Sequence, residues 1–152
     1  MQKDHIRDYA TSAFRLYAAH GKPTRDQLRQ RLYDEALEES KREIVHVRGI
    51  SNPTQTAINQ AEIAVINKRA ELEDIEAVER TMTALAENPN SAVIAKVIEM
   101  VYFVAPKKQL KKGDISDRVH KAELAIPASE RQIYRWLKQA RGFFAMERGL
   151  RL

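Results

Sequence analysis

The chain has 152 residues, of which 43% are apolar and 31% charged, with a formal net charge of +5 and no cysteine. The lack of cysteine excludes disulfides and thiolate metal sites, and no apolar run approaches the roughly 18 residues of a membrane-spanning helix. Glycine and proline are few and widely spaced, so we expect an all-α protein of one domain or two small ones, located in the cytoplasm and not in a membrane.

The first predicted helix covers residues 3–20. Its apolar residues recur at helical steps of three and four: Ile6, Ala10, Ala13, Phe14 and Tyr17. Gly21 ends this helix. Thr24 and Gln27 then have the spacing of a capping box, in which each side chain accepts a hydrogen bond from the backbone of the other residue. A second helix should follow and end near Val45.

Residues 53–87 contain no glycine and only the initial proline, which predicts one continuous helix of 35 residues. Its apolar residues form a stripe: Ile58, Ala61, Val65, Leu72, Ile75, Val78, Met82 and Leu85. A helix of this length needs a coiled-coil-like partner along that stripe. The partner is either the first two helices folded back as a hairpin or a second copy of the chain. We favour folding back, because the first two helices also need a surface to bury against.

A strong turn signal, Asn88-Pro89-Asn90, follows the long helix and marks the predicted domain boundary. Residues 1–88 would form an N-terminal helical interaction region, and residues 89–152 a second domain. Ser91 can cap the next helix, which is strongly apolar and ends before Pro106. A lysine-rich loop, a short helix from about Asp114, a turn and a last helix complete the chain.

The last three helices have the order and lengths of a helix-turn-helix, in which a short helix supports a final helix that enters the major groove. Ser129 and Gln132 have capping-box spacing at the start of the last helix. The inward face of that helix should consist of Ile133, Trp136, Leu137, Ala140 and Phe144. This arrangement predicts a DNA-binding domain in residues 89–152.

Polar residues on the outer face of the last helix suit base and phosphate contacts. Arg131 and Arg135 can pair with guanine, and Gln132 with adenine. Ser129 and the free amides at the helix start can hold a phosphate. Further phosphate contacts are expected from Lys138 and from the loop lysines Lys107, Lys108, Lys111 and Lys112. The alternative interpretation is an ordinary solvated helix face.

The distribution of charge along the chain favours a DNA-contacting face over a solvated one. Residues 105–152 contain twelve Lys or Arg against five Asp or Glu, whereas residues 1–104 contain fourteen against sixteen. The C-terminal third therefore holds the positive excess, which is the pattern of a nucleic-acid-binding module joined to a near-neutral body.

Residues 126–141, IPASERQIYRWLKQAR, resemble the recognition helix of region 4 of bacterial sigma factors, and residues 98–103, IEMVYF, resemble the apolar helix that opens that region. The chain is similar to phage and prophage transcriptional regulators of the ArpU and RinA type, also in its opening helix from His5 to Tyr17. This resemblance implies a phage-derived regulator of late or autolysin-type genes. The segment from Val119 to Ser129 is longer than a minimal helix-turn-helix turn, so the preceding helix is expected to be extended.

Enzyme chemistry finds little support in the sequence. The four histidines are scattered, and none has a recognised metal-binding spacing. An acidic cluster on the long helix is interspersed with cations and reads as a solvated or partner-facing surface: Glu71, Glu73, Asp74, Glu76 and Glu79. We therefore expect no enzymatic activity, no metal and no cofactor.

The sequence thus predicts a DNA-binding transcriptional regulator that binds duplex DNA through residues 129–141. Its N-terminal helices would contact RNA polymerase or a second copy of the chain. Two alternatives stay open at this stage. One is a phage DNA-packaging protein of the small-terminase type, and the other is a helical protein-interaction module without a DNA role.

Overall fold

The computed structural model describes residues 4–45, 47 and 49–151. Within these residues the chain forms seven helices and no strand, which confirms the all-α prediction: α1 (His5–Ala19), α2 (Arg25–Ile44), α3 (Pro53–Asn67), α4 (Arg69–Glu87), α5 (Ala92–Val101), α6 (Asp114–Ala125) and α7 (Glu130–Arg148). Lys3, the predicted start of the first helix, lies outside the described residues. None of the described helices is both long and apolar enough to cross a membrane.

Local sequence signals explain where several helices begin. The Asp4 side chain accepts a hydrogen bond from the backbone of Arg7 and caps α1. At the start of α2 both bonds of the predicted capping box form between Thr24 and Gln27. Ser91 behaves differently from the prediction, since its hydroxyl donates to the Leu85 carbonyl at 2.8 Å instead of capping α5.

The predicted continuous helix over residues 53–87 is wrong at one position, Lys68. The backbone there leaves the α-helical region, with φ −97° and ψ 11°, and the Lys68 amide donates to the Val65 carbonyl three residues back. This tightened turn ends α3, and α4 resumes with the Leu72 amide donating to the Lys68 carbonyl. Lys68 is also the position at which the apolar stripe is broken by a charge.

The chain divides into two compact units, and the smaller comprises Pro23–Glu73. In this unit α2 packs extensively along α3. Its buried residues include Leu28 and Ile44 of α2 and Ala57 and Ala61 of α3. Both of the first two helices were expected to fold back on the long helix, but only α2 packs on α3, whereas α1 packs on α7.

The larger unit joins residues up to Lys22 with Asp74–Leu152. Here α5, α6 and α7 pack against one another in all three pairs, and α1 packs against α7. Its buried apolar residues come from α1 and from α4 to α7, and include Ala10, Phe14, Val78, Ile98, Val101, Val119, Ile133, Leu137 and Phe144. The turn at Pro89 lies inside this unit, so the division of residues 1–88 from 89–152 stays a prediction.

Candidate nucleic-acid interface

The turn between α6 and α7 spans four residues, from Ile126 to Ser129. As expected, the helix before the turn is extended, because α6 continues to Ala125. Ile126 has an extended backbone and is buried, so the chain reverses immediately after α6. A connection of three or four residues has the length found in helix-turn-helix motifs.

Ser129 caps α7, but of the two bonds of the predicted capping box with Gln132 only this one is present among the described residues. Its backbone is extended, and its hydroxyl accepts a hydrogen bond of 3.2 Å from the Gln132 amide. This bond satisfies one of the free N–H groups of the first turn, and the remaining ones stay at the exposed end of the helix. The N-terminus of α7 is therefore ordered and carries the partial positive charge that favours a phosphate.

Four of the five predicted inward residues of α7 are fully buried: Ile133, Leu137, Ala140 and Phe144. Trp136 is only half-buried, contrary to the sequence interpretation. At about 100° per residue, Trp136 lies roughly 60° around the helix from Ile133 and so at the edge of the buried stripe.

The opposite face of α7 carries the residues that the sequence predicted to contact bases or phosphates. Arg131, Arg135 and Lys138 are exposed, and Gln132 is half-exposed. With the same helical step, the three cations lie about 140–160° away from Ile133. The helix therefore separates a buried apolar face from a cationic face that starts within its first two turns.

Within the described residues, these three cations and the loop lysines Lys108 and Lys111 have no carboxylate within 4.0 Å. On α4, by contrast, cations do have carboxylate partners. Arg69 pairs with Glu73 at 3.0 Å, and Arg80 pairs with Glu76 at 2.7 Å. Arg69 and Arg80 of α4 are thus paired with carboxylates. Among the described residues, the three exposed cations of α7 and the two loop lysines have no such partner and are available for an external anion.

Asp74 is an exception within the acidic cluster. One of its carboxylate oxygens accepts from the Tyr9 hydroxyl at 2.6 Å and from the Arg148 guanidinium at 2.7 Å. Burial, and then the neighbouring Asp74, raise the pKa of Tyr9. Asp74 is therefore an internal link between α4, α1 and α7 and does not belong to a solvated surface.

The lysine loop is held from within by Arg15, a residue that the sequence analysis left unnoticed. Arg15 is buried, and its guanidinium donates to four backbone carbonyls after α5: Tyr102 at 3.0 Å, Val104 at 3.1 Å, Ala105 at 2.8 Å and Lys108 at 2.6 Å. Burial lowers the pKa of the Arg15 guanidinium, and the nearby Arg118 adds to this effect.

Ala105, one of the acceptors, has a φ of 45°, in the left-handed region that alanine rarely adopts. Arg15 also donates to the carbonyls of Val104 and Lys108, which lie before and after Ala105 in the chain. No sequence signal could have identified Arg15, because a charged residue between two apolar positions of a helix reads as solvent-exposed.

Tyr102, in the larger unit, contacts residues of two other helices. Its ring stacks on Phe14 with centroids 5.6 Å apart, and its hydroxyl accepts from Arg141 at 2.9 Å. Arg118 of α6 donates to the adjacent carbonyl of Val101 at 3.0 Å. The end of α5 is therefore fixed to α1, α6 and α7 by side chains that lie far apart in the sequence.

One His and two Glu side chains meet across the turn. His120 Nδ1 lies 3.9 Å from a carboxylate oxygen of Glu123 and 3.9 Å from one of Glu130. The three potential ligand atoms lie within 4.8 Å of one another. The sequence analysis missed this cluster because Glu130 belongs to the next helix, so that no short motif marks it. When His120 is protonated, it links the end of α6 to the start of α7.

Comparisons with protein-family models, curated proteins and solved structures give no match to this chain. The functional interpretation therefore depends on the chain's own residues and on the arrangement described above.

Proposed function

We propose that this protein is a transcriptional regulator that binds duplex DNA, with the first two turns of α7 in the major groove. The observation that carries the proposal is the cationic face of α7. Arg131 and Arg135 are exposed and unpaired among the described residues, and they lie directly after a capped four-residue turn. Groove-entering helices make their base contacts from this position.

The proposal divides the cationic residues into two classes. Arg131, Gln132 and Arg135 would contact base edges, because these side chains match the acceptor and donor patterns of guanine and adenine. Ser129, Lys138 and the loop residues Lys108 and Lys111 would contact phosphates, which sets affinity without reading sequence. The Arg15 contacts support the second class, since they fix the backbone of the loop at Lys108.

Target genes and partners follow from the resemblance to ArpU- and RinA-type regulators. We propose phage late or autolysin-type genes as targets, with RNA polymerase or a second copy of the chain bound through the N-terminal helices. Ile63 and Ile66 on α3 are 56% and 68% exposed, which is unusual for isoleucine and supports a partner for the smaller unit. Mapping of bound DNA across the native host's genome identifies the targets.

A salt titration of DNA binding tests the assignment of the two classes, with a selected site and a scrambled duplex. Arg131→Ala or Arg135→Ala should cost about 1–3 kcal/mol on the selected site and reduce discrimination between the duplexes. Lys108→Ala or Lys111→Ala should weaken both duplexes alike and reduce the salt slope by about one unit.

Lys96→Ala is the matched control, because Lys96 is exposed on α5 and belongs to neither class. It should leave both the affinity and the salt slope nearly unchanged. If the arginine variants keep full discrimination, α7 is not the reading helix. If the full chain binds no duplex at low salt, the interaction-module alternative is favoured, and a ring of many copies in solution would favour DNA packaging.

A further inference from the structure

A cleft of about 690 Å³ lies between α1 and α7, beside the proposed DNA-binding face. Arg7 and Ser12 contribute from α1, and Tyr134 and Arg141 contribute from α7. Ile115, at the start of α6, also lines it. The volume lies within the range of pockets that bind small organic molecules. All of the lining residues belong to the larger compact unit.

The cleft is electropositive. Three cationic side chains line it, Arg7, Lys138 and Arg141, against one carboxylate, Asp8. Asp8 already pairs with Arg7, whose Nε lies 3.5 Å from the carboxylate oxygen. Lys138 and Arg141 have no carboxylate within 4.0 Å among the described residues. The two cations from α7 are therefore the ones left without an internal counter-charge.

Arg141 gives the strongest indication of what the cleft would hold. It is half-buried, and its one hydrogen bond among the described residues is the 2.9 Å donation to the Tyr102 hydroxyl, a neutral group. A guanidinium has five N–H donors, so most of its donor capacity is unused. Partial burial of a cation without an anion is unfavourable, and an anionic group in the cleft would offset this cost.

The other residues that line the cleft supply hydroxyl groups and an apolar wall. Hydroxyl groups of Ser12 and Tyr134 can donate to anionic oxygens. Leu110, Ile115 and Leu137 form an apolar part of the wall. Two unpaired cations with neighbouring hydroxyls match a doubly charged phosphate better than a carboxylate, and the apolar wall requires an organic portion.

We propose that this cleft binds a small phosphate monoester, with its phosphate at Arg141 and Lys138 and its organic portion against Leu137. Lys138 also belongs to the proposed DNA-contacting face, so an occupied cleft removes one phosphate contact and brings negative charge close to the DNA backbone. Occupancy therefore weakens DNA binding. This second part rests on the proposed function, whereas the first part does not.

Phenyl phosphate is a suitable probe, titrated into the full chain without DNA and followed by backbone amide shifts in NMR spectra. Saturable binding is expected, with shifts concentrated at Ser12, Tyr134 and Arg141. Arg141→Gln and the exposed-site variant Lys138→Gln should each weaken binding about tenfold, since a hydrogen bond to a charged group contributes that much. Lys96→Gln, which removes one positive charge outside the cleft, should leave the affinity unchanged.

No saturable binding, or equal weakening in Lys96→Gln, overturns the proposal. Unchanged affinity in Lys138→Gln also overturns it, and this exposed substitution does not threaten folding. If phenyl phosphate fails to bind while Arg141→Gln weakens all duplexes and lowers the salt slope by one unit, the cleft receives a DNA backbone phosphate, and the small-molecule proposal is wrong.

A second titration, with DNA present, tests the coupling. Phenyl phosphate at about twice its wild-type Kd should weaken DNA binding by the wild-type chain, and it should have a much smaller effect on Arg141→Gln, whose cleft is then mostly empty. An unchanged DNA affinity overturns the coupling. If phenyl phosphate binds but no duplex does, the cleft site stands and the proposed function fails, so the two failures are distinguishable.

Discussion

Arg15 in α1 donates a hydrogen bond of 2.6 Å to the backbone carbonyl of Lys108, 93 residues later in the chain. Three further carbonyls of the same loop accept from the same guanidinium. Because this loop carries lysines of the proposed phosphate-contacting class, the N-terminal helix determines where those charges lie. The larger compact unit, which carries the proposed DNA-contacting residues, therefore includes α1.

Arg15→Met should lower the free energy of unfolding by about 3 kcal/mol, because it keeps an unbranched apolar side chain but leaves buried carbonyls without a donor. Urea unfolding of the full chain measures the change. Arg29→Met is the control, since Arg29 is exposed on α2, and it should change the stability by less than about 0.5 kcal/mol. Equal effects of the two substitutions would show that the Arg15 contacts do not stabilise the loop.

The fragment 74–152 should be incompletely folded alone and should regain cooperative unfolding when a peptide of residues 4–22 is added. The physical reason is Phe14, which has no exposed surface and packs on Tyr102 and Phe144 at centroid distances of 5.6 and 5.8 Å. Circular dichroism with thermal unfolding follows the recovery. The same peptide with Phe14→Ala is the control and should fail to restore folding. A fragment that melts identically with and without the peptide would place α1 outside this domain.

Two aromatic residues of α7 should differ in their contribution to stability. Phe144 is fully buried and contacts Phe14 and Tyr9, so Phe144→Ala should cost about 3–5 kcal/mol. Trp136 is half-buried, and Trp136→Ala should cost about 2 kcal/mol, roughly half of the value for a buried tryptophan. Chemical unfolding of both variants provides the comparison. A cost for Trp136→Ala as large as that for Phe144→Ala would contradict the observed burial.

Local signals in the sequence were sufficient for most of the helices and for the caps of α2 and α7, but they missed the break at Lys68 and wrongly assigned Ser91 as a cap. The Thr24–Gln27 capping box and the Ser129 cap depend on residues three apart, and such contacts form whatever the rest of the chain does. The apolar spacing on α7 likewise predicts Ile133, Leu137, Ala140 and Phe144 as buried. The same spacing does not resolve the edge of the stripe, which is why Trp136 was assigned to the core.

The sequence by itself also places the unpaired cations Arg131 and Arg135 opposite the apolar face of α7, because a helix has a fixed angular step. Only the tertiary structure decided which helices share a unit. The apolar spacing of a helix predicts which face is buried but not which other helix covers it, so the packing of α1 on α7 was not predictable. The hydrogen bonds of Arg15 and Arg141, and the cleft beside Lys138, join residues separated by many positions, and such contacts leave no periodic signal in the chain.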